Sequence, residues 1–198
     1  METKLYHFYN YQEYIDNQKY AARRTTHITK RNTKKRERIK EVIEQLQLKI
    51  NSVLCVGARH KSEIDFFKNL GYQTTGIDLF GSQDILECDM SKMLDHPLLQ
   101  AQMFGSVVSI DSIEHCLNLE GFKKGLDRLC GRYFICRTRF REDPSRWDVA
   151  VHPFIRRKNF TEGLAYCFPH FEAIYASQDE PGGEFLFILK KRSRFILI

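Results

Sequence analysis

Val53-Leu-Cys-Val-Gly-Ala-Arg59 opens the stretch that decides the fold, and Thr74-Thr-Gly-Ile-Asp-Leu79 closes it. An apolar run ends in Gly57, an amphipathic stretch follows over 61–70, and a second apolar run ends in Asp78. The order is strand, glycine turn, helix, strand, acid. An acid at that strand end suits the two hydroxyls of a ribose whose other end lies over the glycine turn.

Outward from this stretch the alternation continues. The pattern predicts strands over 52–56, 73–77, 84–88, 106–110 and 133–138, with helices over 61–70, 94–103 and 119–129 between them. The run Ser106-Val-Val-Ser-Ile110 carries no charge and reads as a strand buried on both faces of a parallel sheet. A loop with Pro144, Trp147, His152 and Pro153 precedes a predicted helix over 159–167 and a strand over 171–177. Pro181-Gly182-Gly183 then turns the chain into a last strand over 184–190, which a tight turn makes antiparallel to its predecessor. This is a doubly wound, seven-stranded, mostly parallel α/β sheet with an antiparallel last strand.

Upstream, Thr33 is placed to cap a helix running to about Leu48, with Ile39, Val42, Ile43 and Leu46 forming one buried stripe. The basic residues are assigned to its other faces. Residues 1–50 thus read as a helical N-terminal extension and 51–198 as the main domain. The aromatic density of 5–20 predicts packing on the core or on a partner.

Charge divides the chain sharply. Residues 19–49 hold eleven Lys/Arg against three Glu, whereas residues 50–198 hold nineteen basic and nineteen acidic residues. The basic arm 23–40 could contact phosphates, so RNA is a possible partner, though basic helix faces are usually just solvated. Six cysteines show no C-x-x-C spacing and read as buried reduced thiols, consistent with a cytoplasmic protein. No run approaches the ~18 apolar residues of a membrane span, and the first residues lack a secretory signal pattern, so no membrane association is expected.

The strand ends Gly57, Asp78, Asp89-Met90 and Asp111-Ser112, together with the closing hairpin, resemble the class I S-adenosylmethionine-dependent methyltransferases over about residues 53–190. The resemblance implies a Rossmann-like methyltransferase sheet and S-adenosyl-L-methionine as cofactor. It implies that Gly57, Ala58 and Arg59 line the methionine part, that Asp78 with Leu79 takes the ribose, and that Asp89 and Met90 meet the adenine. Asp111 would close the pocket. Where many members have three glycines in the first turn, only Gly57 stands here. Gly-Ala-Arg-x-x-x-Glu looks like a variant of smaller branches, in which Glu63 faces the cofactor's positive end. A cationic cofactor suits an acid there better than a pyrophosphate would.

Methyl transfer needs a base only when the acceptor holds its proton tightly. The resemblance makes His115, Asp111 and His152 the catalytic candidates, on an O or N acceptor of a small molecule, sugar or nucleic acid. A patch of Arg137, Arg139, Arg141 and Arg146 could receive an anionic substrate. Small bacterial and viral methyltransferases similar in their Tyr-x-x-Tyr and Gly-Ala-Arg stretches point to a small molecule or sugar. Two alternatives stand beside this. One is a non-catalytic protein of the same fold that binds nucleic acid or a partner. The other rests on Asp111, Glu114, His115 and His152, which loosely resemble the metal-holding set of 2′-O-methyltransferases acting on small-RNA 3′ ends.

Overall fold

Period-two alternation sorts the side chains of each central strand onto two faces, and both faces are covered. The computed structural model describes residues 12–13, 15–16, 30–116, 118–139, 167–180 and 184–193. Its strands are β1 (Ser52–Val56), β2 (Gln73–Asp78), β3 (Ile85–Glu87), β4 (Phe104–Ile110), β5 (Cys130–Arg139), β6 (Phe171–Glu180) and β7 (Glu184–Lys191). They form one seven-stranded sheet in the order β3-β2-β1-β4-β5-β7-β6. All neighbouring pairs are parallel except those of β7, which is antiparallel to β5 and to β6. The expected doubly wound sheet with its antiparallel last strand is therefore the observed one.

Leu54, Val56, Val107, Phe134, Cys136, Phe187 and Leu189 point to one face. There they meet Phe122, Leu126 and Leu129 of α4 (Leu119–Leu129), with Met93 and Leu99. Asn118 starts α4 by accepting from the Gly121 amide at 3.0 Å. Val53, Cys55, Val108, Ile135, Leu186 and Ile188 point to the other face. They pack against Ile39, Val42 and Ile43 of α1 (Lys30–Gln45) and Ile64 and Phe67 of α2 (Lys61–Asn69). At Gly76 the strand and α2 meet so closely that an added Cβ would lie 2.4 Å from Ile64 Cδ1.

Three local expectations are corrected. The helix predicted over 94–103 is a 3₁₀ segment, Met90–Asp95, followed by the short α3 (Pro97–Gln100). Pro97 forces its predecessor out of the helical region, and His96 accordingly sits at φ −82°, ψ 118°. Thr33 lies inside α1 rather than capping it, since the helix already includes Lys30. The basic residues of α1 are not confined to its outer faces, because Lys35 and Arg36 are buried. The turn at 181–183, the loop with His152 and all but Cys167 of the helix predicted over 159–167 lie outside the described residues.

All six cysteines are free and buried. Burial pushes the Cys88 thiol up to about 11 and the thiols of Cys116, Cys130 and Cys167 to about 12. They are packing residues held in the unreactive thiol form. Among the described residues no helix is long and apolar enough to cross a membrane.

Candidate functional site

The strand order reverses between β1 and β4, and this switch point is where ligands bind in open α/β sheets. Gly57 ends β1 there with φ +72°, a conformation that favours glycine. An added Cβ would lie 2.4 Å from Ser112 Cβ and 2.7 Å from Ser112 Oγ, so the turn is closed against the end of β4. Ser112 Oγ donates to the Val56 carbonyl at 2.8 Å. With that proton spent, the Ser109 hydroxyl, 2.7 Å away, is the donor to Ser112 Oγ. The Gly57 and Ala58 amides both donate to the Ile77 carbonyl, at 2.8 and 3.0 Å, which fixes the turn over β2.

The acids expected at the strand ends gather around this turn. Asp78 is buried at the end of β2, where one oxygen accepts from the Phe80 amide at 3.1 Å. Burial raises its pKa, opposed by that hydrogen bond and by the charges of Arg59 and His60. Leu79 beside it is half-buried. Asp89 caps the 3₁₀ segment, accepting from the amide and hydroxyl of Ser91, both at 2.8 Å. The Met90 methyl would lie 3.7 Å from a Cβ at Gly57, so β1 and the β3 exit meet.

Glu63 stands in the first turn of α2. Its Oε1 is buried with no hydrogen-bond partner among the described residues. Burial, the chief cause, and the negative charges of Asp111 and Asp78 push its carboxyl up to about 8, against the pull of the Arg36 guanidinium. Arg36 itself is held by Ser62 Oγ at 3.4 Å and lies over the Phe66 ring.

On the other side of the switch point lies a buried ion network. Asp111 follows β4 with φ +51°, a strained conformation for a residue with a side chain. Its amide donates to the Arg137 carbonyl at 2.8 Å. One carboxylate oxygen pairs with Lys35 of α1, and the other accepts from Arg137 of β5 at 3.4 Å. Arg137 also binds Glu184 at the start of β7, and Lys35 lies 3.7 Å from the same carboxylate. Lys35, Arg137 and Glu184 are each at most 3% exposed. Glu114 accepts from Thr138 Oγ1 at 2.9 Å. His115 ends the following 3₁₀ turn, half-buried, its amide donating to the Ser112 carbonyl at 2.9 Å.

The structure thus brings Gly57, Ala58, Glu63, Asp78, Met90 and Asp111 to one pole of the sheet, with Asp89 beside them. It leaves Arg137 paired with two acids, not displayed as a surface patch for anions. The side chains of Arg139, Arg141, Arg146 and His152 lie outside the described residues. Among the described residues no three acids, histidines or cysteines gather as a metal-binding group. Lys35, Arg36 and Glu184 were not anticipated at the site. Their signal was present: Lys35 and Arg36 extend the Ile39, Val42, Ile43 stripe backwards by one helical turn. Glu184 is likewise a lone charge opening an apolar strand.

No protein-family profile and no curated protein matches the chain. Solved structures do. Burkholderia thailandensis 1,6-didemethyltoxoflavin-N1-methyltransferase, with bound 1,6-didemethyltoxoflavin and S-adenosylhomocysteine, matches at 12% identity and TM-score 0.63, covering 90% of this chain and 88% of that one. The glycopeptide N-methyltransferase MtfA complexed with S-adenosyl-L-methionine matches at 14% identity and TM-score 0.55, over 79% and 94%. The methyltransferase domain of bacterial CtHen1-CN matches at 13% identity and TM-score 0.54, over 80% and 98%. At these identities the likeness is one of fold, the Rossmann-like methyltransferase fold.

Proposed function

We propose that this chain is an S-adenosylmethionine-dependent methyltransferase acting on an O or N acceptor of a small molecule. The observation that carries the reading is the Gly57 turn, seated on Ser112, with Asp78 at the next strand end and near it a buried Glu63 oxygen that has no hydrogen-bond partner among the described residues. A buried carboxyl without a partner is costly. A ligand with a sulfonium and an ammonium would offset that cost, which is the fit expected of this cofactor. The cofactor, when bound, supplies a methyl on a sulfonium whose departure leaves a neutral thioether.

The chain's own residues do the rest. Gly57 lets the β1 exit turn at positive φ and close on Ser112, which a residue with a Cβ could not do. Asp78 uses carboxylate lone pairs beyond the Phe80 contact to accept from two ribose hydroxyls. Asp89 and Met90 border the adenine, and Ala58, Arg59 and Leu79 line the walls. Glu63 ionises opposite the cationic end. Transfer to an activated centre is accelerated mainly by alignment. Asp111, clamped by Lys35 and Arg137, sets the acceptor side, and His115 is the candidate for taking an acceptor proton, with His152 the second. The two neighbours that methylate nitrogen, one of them with a small-molecule substrate bound, support a small N-bearing acceptor.

One observation favours a second reading, that of a non-catalytic protein of this fold. Both Asp111 oxygens are already engaged within the chain. Melting with S-adenosylhomocysteine decides whether the pocket binds. At 100 times its dissociation constant a ligand adds about 2.7 kcal/mol, and we expect that shift in the native chain and its loss in Asp78→Ala. No shift, or an equal shift in Asp78→Ala, overturns the cofactor site. A shift without methyl transfer to any member of an amine and hydroxyl library selects the non-catalytic reading.

A further inference from the structure

The opposite pole of the sheet carries a second feature that the cofactor reading does not use. A cleft of about 910 Å³ opens where β5 begins, β7 ends and α4 runs out. It is lined by Lys124, Arg128, Arg132, Lys190, Lys191 and Arg192, with Asp127 as its one acid. Residues 50–198 carry equal numbers of basic and acidic residues, so this clustering is a polarisation of a neutral domain.

The acids nearby do little to neutralise it. Asp127 is engaged by His170 Nδ1 at 2.7 Å, and Glu172 lies 3.9 Å from Lys190. Lys191 is fixed in place, donating to the Cys130 carbonyl at 2.8 Å and to the Asp127 carbonyl. It closes the carbonyl end of α4 and forms the cleft's floor. Arg128 donates to the Gln100 carbonyl at 3.4 Å, and Arg132 lies over the Tyr133 ring. Lys124, Arg128, Arg132, Lys190 and Arg192 are all exposed on the rim. Met103, 66% exposed, lies 3.7 Å or closer to the position of a Gly131 Cβ and adds one apolar contact beside the charges.

We infer that this cleft binds the phosphate backbone of a single-stranded nucleic acid. Three guanidinium forks and the rim ammonium groups suit successive phosphates. The concave, basic shape favours a strand over the flat surface of a bilayer, as in grooves that track a single-stranded backbone. The six residue steps of β5 from Gly131 to Arg137 separate cleft and candidate active site by about 20 Å. The inference stands apart from the catalytic reading: the cleft shares no lining residue with the site. It also moves the nucleic-acid surface away from α1, whose Lys35 and Arg36 are turned inward.

The test is fluorescence anisotropy of the full chain with labelled 20-nucleotide single-stranded RNA and DNA of one sequence. With about four phosphates neutralised, a fourfold rise in salt weakens binding about 50-fold. Arg128→Glu with Arg192→Glu is expected to weaken binding at least tenfold while leaving the melting temperature and its S-adenosylhomocysteine shift unchanged. Lys124→Gln with Arg132→Gln, a milder pair, should weaken it severalfold. Absence of binding at 50 mM salt overturns the inference. So does binding unaffected by either pair, or capture on phosphatidylserine vesicles without capture of either oligonucleotide.

Discussion

The two sides of the switch point are built in opposite ways. On the side proposed for the cofactor the acids at the strand exits make local contacts: Asp78 to the Phe80 amide and Asp89 to Ser91, each two residues apart. On the side proposed for the acceptor the ion pairs are remote: Lys35 to Asp111 spans 76 positions, Arg137 to Glu184 spans 47, and Arg137 to Asp111 spans 26. The acids of the first side are held by turn chemistry within each strand exit. The second exists only because the sheet order sets the ends of β4 and β5 beside the start of the antiparallel β7, while α1 lays Lys35 over all three. The local side keeps a carboxyl oxygen without a partner among the described residues, as a binding site should. The remote side pairs Lys35, Asp111, Arg137 and Glu184 with one another.

The largest effect that would break this contrast comes from the remote side. Arg137→Ala leaves Glu184 buried with its strongest partner gone, and removing one member of a buried pair costs about 3–5 kcal/mol. Urea unfolding of Arg137→Ala measures it. Arg137→Leu combined with Glu184→Leu is expected to recover most of the loss, since no charge is then stranded. If the double variant is as weak as the single, the network is not what holds this pole together.

Next comes Gly57→Ala, on the local side. A side chain at positive φ costs roughly 1–2 kcal/mol, and the overlap with Ser112 adds about 1–3 kcal/mol. The melting temperature should fall and the S-adenosylhomocysteine shift should vanish. Retention of that shift at full size would mean the turn is not part of the pocket.

The smallest effect is one of pH. Glu63 has its folded pKa raised from about 4.5 to about 8, so between those values the folded state holds a proton that the unfolded state has released. Its contribution to stability is therefore fully present below the unfolded value and lost as pH rises through about 8. The melting temperature should decline from pH 6 to pH 8.5, and less steeply in Glu63→Gln. Over the same range S-adenosylmethionine should bind more tightly as Glu63 ionises. Its gain should exceed that of S-adenosylhomocysteine, which lacks the sulfonium. Equal pH responses of the two ligands would separate Glu63 from the cation.

Much of the cofactor side was legible because its signals are short in sequence. Gly57, Asp78 and Asp89 sit where apolar runs stop, and the alternation of those runs reveals both the strand and its end. The acceptor side was not. Arg137 looked like one of several surface arginines, since nothing near it in sequence says that Glu184 will arrive as its neighbour. Lys35 was legible in principle, lying four residues before Ile39 on the buried stripe, but lysine is rarely buried unless paired and its partner is remote. The helix broken at Pro97 was a misjudged boundary with a local cause, visible in the proline itself.

The sequence alone determined the parallel α/β alternation, the antiparallel closing strand and the acids at the strand exits. Side-chain period and turn residues act within a few positions, and burial on two faces leaves little choice of register. Only the tertiary structure decided which strand exits face one another and which charges are paired. It also decided that α1 belongs to the core and that six basic residues meet at the far pole. Those outcomes depend on the order of strands in the sheet and on desolvation, which turns a lysine from a solvated surface group into half of a buried ion pair.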